Sequence, residues 1–113
     1  MNVALPDTGW QQLLDWQRHE VMLAFVYTRS LGGLMQTGHC RITSLEPEKA
    51  VLETAGSKLM IVLLGARFEA GAQIFFTLDL TGNFSVDGVT IHFANHDSLF
   101  LSNVSLPAEA RLP

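Results

Sequence analysis

Apolar residues along this chain keep two rhythms: one short helical stretch, then a long succession of strands. In "TGWQQLLDWQR", Trp10, Leu13 and Leu14 recur at helical spacing, and Thr8 and Gln11 have the Thr-x-x-Gln form of a capping box. A helix over 8–18 is therefore predicted. From Glu20 onward aromatic and β-branched residues take over, and these suit a pleated, half-buried surface. "EVMLAFVYTR" is apolar on both sides and reads as a central strand. After a break at Gly32-Gly33, "GHCRITSL" and "KAVLET" flank "EPEK", a short turn carrying Pro47. "KLMIVLLGA" has no alternation, and its length between glycines favours a strand buried on both faces over a helix.

The second half alternates more strictly. "AQIFFTLDL" sets Ile74, Phe76, Leu78 and Leu80 on one side, "TGN" turns the chain, and "DG" at 87–88 reads as a two-residue hairpin. Pairing Leu80 with Phe84 and Val86 with Val89 then keeps every partner on one apolar face, as a consistent register should. A three-residue loop at Asn95-His96-Asp97 sets Phe93 opposite Leu99 and Ile91 opposite Leu101. It leaves His92 on the other face beside Phe100, with His96 at the loop tip. The fold expected is mainly β: one domain over 1–103, with the N-terminal helix packed on a strongly bent antiparallel sheet of about seven strands. A small barrel or roll is the predicted form, and 104–113, interrupted by Pro107 and Pro113, is a tail.

Composition adds a pressure to associate. Only 16% of the 113 residues are charged, against about 25% in ordinary domains, while 48% are apolar. Such a chain has little polar material to cover itself, which points to a homo-oligomer that hides part of the surplus. Net charge is −4, and Arg18, Arg29, Arg41, Lys49, Lys58, Arg67 and Arg111 are scattered. No basic face for nucleic-acid phosphates is expected. The apolar run Leu59–Ala66 is far below the ~20 residues of a membrane helix. The segment Met1–Trp10 lacks the pattern of a secretory signal, so the expected setting is the cytoplasm without membrane contact. The one cysteine, Cys40, has no internal disulfide partner.

Candidate chemistry centres on "VTIHFANHDSLFLS". In extended chain His92 and His96 stand up to ~13 Å apart, too far to share a metal with bonds of ~2.0–2.1 Å. No metal or other cofactor is predicted, and "NHD" reads as a turn whose Asn and Asp bond locally. His39 and Cys40 point to opposite faces of a strand, so Cys40 is expected to be buried and inert. Asp79, Ser85 and Thr90 form a polar row in the predicted meander, with His92 diagonal to Ser85 at ~7–8 Å. Neither a Gly-x-Ser-x-Gly elbow nor an oxyanion donor accompanies them. If a small molecule binds, His92, Asp79, Ser85 and Phe100 are the residues expected to meet it. The glycines of "SLGGLMQTGH" match no phosphate-binding loop.

Over residues 8–66, the capped helix, "EVMLAFVYT", the glycine break, "GHCRITSL", a turn, "KAVLET" and an apolar strand follow one another in order. This layout resembles that of the Sm-like small barrels. The resemblance implies a strongly bent sheet and assembly into rings or dimers by edge pairing. Where that family's first motif offers an Asp and an Asn for base recognition, this chain has "LEPEKAV", and no Arg-Gly pair marks the second motif. No RNA-binding residue carries over. The function expected is a non-enzymatic interaction or assembly module that forms a homo-oligomer, since no titratable residues converge and the apolar fraction is high. The alternatives are small-molecule binding in a barrel or subunit-interface pocket, and RNA binding by an Sm-like ring.

Overall fold

The computed structural model describes residues 8–30, 35–76 and 82–103. Helix α1 (Thr8–Arg18) precedes seven strands: β1 (Leu23–Thr28), β2 (Met35–Leu45), β3 (Lys49–Thr54), β4 (Ser57–Val62), β5 (Arg67–Phe76), β6 (Asn83–His92) and β7 (Ser98–Ser102). They form one antiparallel sheet in the order β4-β3-β2-β1-β7-β6-β5. The fold is mainly β, as the sequence predicts, and the central place of β1 also holds. The sheet stays open, with β4 and β5 as its two edges, so the predicted barrel closure is corrected to a curved, unclosed sheet.

Helix α1 packs against β2 on one flank and against β5 and β6 on the other, bridging the concave face. Leu13 and Trp16 are its buried side chains, while Leu14, predicted on the core face, is only half-buried. Each full burial of this kind is worth about 1.5–3 kcal/mol. Trp10 meets Phe68 of β5 edge-on, with centroids 5.2 Å apart. The helix ends in a Schellman arrangement: Val21 N–H donates to Trp16 O (3.1 Å) and Glu20 N–H to Gln17 O (3.2 Å). Glu20 takes the left-handed conformation that glycine usually fills there, at φ 52°.

Strand β2 joins the two halves of the sheet. Its first half pairs with β1 through Cys40, and its second half pairs with β3 from Arg41 onward. Between Ile42 and Ser44 the register shifts by one residue, a bulge of the kind that bends and twists a strand. Beyond Leu45 the predicted turn is present, closed by Glu46 N–H donating to Lys49 O (2.8 Å).

Two predicted features of the second half are overturned. The "DG" pair does not form a hairpin: β6 continues through it without a break in pairing, with Asp87 opposite Ala72 and Gly88 opposite Gly71. Val86 and Val89 consequently face opposite sides. Val89 joins Leu13, Leu23, Ile91, Leu99 and others in the core beneath the helix, and Val86 joins Val26, Phe75 and Phe100 in a second core on the other face. Gly88 is there for close approach, because a Cβ at that position would overlap the Leu101 carbonyl oxygen and the Phe100 ring. The other correction follows from the first. With Phe75 opposite Phe84 rather than Leu80 opposite Phe84, the faces of β5 exchange: Phe75 is buried and Ile74 exposed. Leu78 and Leu80 lie outside the described residues, as does the Gly32-Gly33 break.

The β5–β6 hairpin also folds over. Phe75 is in register with Phe84, six residues along β6 from Thr90, the partner of Phe100. Flat strands would set those positions ~20 Å apart, yet the rings of Phe75 and Phe100 are 5.8 Å apart. The Gly71–Gly88 pair lies between those positions, and Gly71, at φ 155°, gives the backbone the freedom to bend there. Gly88→Ala is therefore expected to lower the unfolding free energy by about 1–3 kcal/mol. Gly56→Ala, whose Cβ would meet nothing within 4 Å, should change it by less than about 0.5 kcal/mol. Equal urea midpoints for the two variants would contradict the close approach at Gly88.

Candidate functional site

Strand β4 carries the largest departure from expectation. "KLMIVLLGA" is an edge strand with its apolar side chains in the open, not a strand buried on both faces. Leu59 is 46% exposed, Met60 69%, Val62 67% and Leu64 68%, while Leu63 is buried in the core and Ile61 and Ala66 pack against it. The turn after the strand is built by sequence: Ala66 N–H donates to Leu63 O (2.9 Å), and Gly65 supplies φ 80°. This is the geometry of a type II turn, which needs a positive φ at its third residue.

Beside β4 lies a cleft of ≈ 500 Å³. Strands β1, β3 and β7 supply Phe25, Tyr27, Leu52 and Leu99, and β4 supplies Leu59 and Ile61. The loop between β6 and β7 adds Phe93, Ala94 and Asn95 on the other side, and Gln36 contributes an amide. No charged side chain lines it. The cleft exists because the curved sheet is not closed. Its walls are the free edge at β4 and the β6–β7 loop.

That loop is held in place by one carboxylate. Tyr27 O–H donates to Asp97 Oδ2 (2.6 Å), and Ser30 backbone N–H donates to Asp97 Oδ1 (2.9 Å). Within the loop, Asp97 N–H donates to Asn95 Oδ1 (3.0 Å) and Asn95 Nδ2 to Asp97 Oδ2 (3.3 Å). The local bonding expected of "NHD" is thus present, and His96 at the tip adopts φ 73°. The three loop residues are 94–96, one earlier than predicted, closed by Phe93 N–H to Asp97 O (2.9 Å). The register moves by two, to Ile91 opposite Leu99, so the predicted apolar face survives. Hydrogen bonds from Tyr27 and then from Ser30 hold the Asp97 carboxyl below its ordinary pKa. Burial, and then the neighbouring carboxylate, raise that of Tyr27.

The structure does not bring the four predicted ligand residues together. Phe100 is buried in the second core, facing Phe75. Ser85 is exposed on the folded-over part of β6, and Asp79 lies outside the described residues. His92 is half-exposed, 2.9 Å from the Glu69 carboxylate across the β5–β6 pair. In the continuous β6, Ser85 and Thr90 take opposite faces, so the predicted polar row is replaced by two unrelated positions. Cys40 is buried as expected, its thiol pushed up to about 11 by burial, and His39 points outward. Among the described residues no group of three or more His, Cys, Asp or Glu side chains converges, and no helix is long and apolar enough to cross a membrane.

Comparison with protein-family models, curated proteins and solved structures returns no match.

Because the Asp97 pKa is lowered on folding, its contribution is complete above the ordinary carboxylate range and is lost as pH falls through the lowered value. The stability gap between the wild type and Asp97→Asn should therefore be widest near neutral pH and shrink on acidification. Melting curves in which the gap is constant or grows in acid would exclude Asp97 as the charged anchor of the loop.

Proposed function

We propose that this chain is a non-enzymatic interaction module that works as a homo-oligomer. The observation that carries the reading is the edge strand β4, which leaves Leu59, Met60 and Val62 largely exposed in one contiguous stretch with Leu64. Apolar edges of this kind are normally blunted or covered, since they template pairing with another chain. The low charged fraction of 16% supports the same reading, because few polar groups are available to keep such a surface solvated. A cytoplasmic setting fits the single reduced, buried Cys40. Sedimentation equilibrium at micromolar concentrations tests the proposal: a mass of two or more chains is expected, and a monomer throughout would reject it.

The cleft favours a second reading, capture of a neutral apolar small molecule. Its ≈ 500 Å³ volume falls within the size range of ligand pockets, and its lining is apolar with two amides and a phenol. The neutral probe Nile red should gain fluorescence on binding, and Leu52→Gln should abolish most of that gain. An unchanged signal in the variant would place the dye elsewhere and sink this reading.

A further inference from the structure

We infer that two copies of this chain pair through β4 about a two-fold axis at Met60, extending the sheet from one chain into the next. The inference rests on the self-association reading and specifies the surface and its partner.

The two sheet edges differ in how they are protected. Edge strand β5 carries exposed Arg67 and Glu69, and its backbone is diverted at Gly71, where φ is 155°. Charges and bends of this sort discourage pairing. Edge strand β4 has a single charge, Lys58, at its start, with neither proline nor bulge in "SKLMIV". No other strand among the described residues pairs with its outer side.

The register within the β3–β4 hairpin shows which backbone groups are available. Thr54 is opposite Ser57 across the two-residue turn, and Leu63 N–H donates to Glu48 O (2.8 Å) at the far end. Hydrogen-bonded pairs alternate along an antiparallel ladder. Ser57, Leu59, Ile61 and Leu63 therefore direct their N–H and C=O groups toward β3, and Lys58, Met60 and Val62 direct theirs outward. A two-fold axis at Met60 matches this outward set to itself: Met60 opposite Met60, and Lys58 opposite Val62. No lysine then faces a lysine, and the two Lys58 positions are offset by ~13 Å along the strands. Leu59 of one copy meets Ile61 of the other on the cleft side. The match is complete with the chain's own strand, so a second copy is the occupant that this edge fits.

The surface is also large enough. Leu59, Met60, Val62 and Leu64 together expose roughly 500 Å² per chain, so covering all of it in both copies would bury on the order of 1,000 Å², the lower limit for a specific interface.

Two variants test the pairing in the full chain. Across a two-fold axis at Met60 the Cα atoms would lie ~5.5 Å apart, within disulfide range. Under mild oxidation Met60→Cys should give a covalent dimer much faster than Ile74→Cys, a control on the exposed part of β5. The double variant Met60→Lys, Val62→Lys, altering only exposed side chains, should weaken the dimer by about tenfold or more with unchanged circular dichroism. A dimer that survives the double lysine variant, or that fails to cross-link faster at Met60 than at Ile74, would overturn the pairing while leaving self-association intact. A monomeric wild type would overturn both, including the case in which another segment of the chain covers β4.

Discussion

The close approach of β7 to Gly88 is the contact on which the arrangement depends. Because residue 88 has no side chain, the Leu101 carbonyl and the Phe100 ring can lie against the backbone of β6. That allows one continuous strand to bury Val89 and Ile91 on one face and Val86 on the other. The hairpin bends at the same place, carrying Phe75 over Phe100 and sealing the outer face of β1 and β7. A curved sheet of this size would otherwise have its convex side open to water where Val26 and Phe100 lie. Ser102, fully buried, adds a polar tie by donating from Oγ to Asp87 O (2.7 Å) at the same junction.

This economy leaves the sheet unequally finished. The end formed by β5 and β6 is covered by the helix on one side and folds over the sheet on the other. The end formed by β3 and β4 has neither cover, and its apolar side chains face solvent on both sides of the last strand. The cleft is the internal counterpart of that deficit: the concave face continues past the helix to a gap between β4 and the β6–β7 loop. Its far wall is kept in position by Tyr27 and Ser30 through Asp97, and the Tyr27 ring also lies 5.9 Å from that of Phe93. A charged group thus stands behind the loop while the cleft itself stays uncharged, an arrangement suited to apolar association rather than to acid–base chemistry.

The sequence by itself determined the helix, the mainly β antiparallel character, the central place of β1, the turn at Pro47 and the outward and inward directions of His39 and Cys40. Each follows from local periodicity, capping or turn chemistry. It also gave the apolar face of β7 and the end of β6 correctly despite a register error, because a shift of two residues preserves the faces. Tertiary structure decided the rest. Asp87-Gly88 has the local signature of a turn, but the same glycine serves equally where another backbone must approach closely, and only the position of Leu101 distinguishes the two. An unbroken apolar run such as "KLMIVLLGA" looks alike whether it is central or at an edge, since burial depends on which strands lie beside it. The candidate site was illegible for that reason: exposure at Met60 and Val62 arises from sheet order, a long-range property that no local pattern encodes.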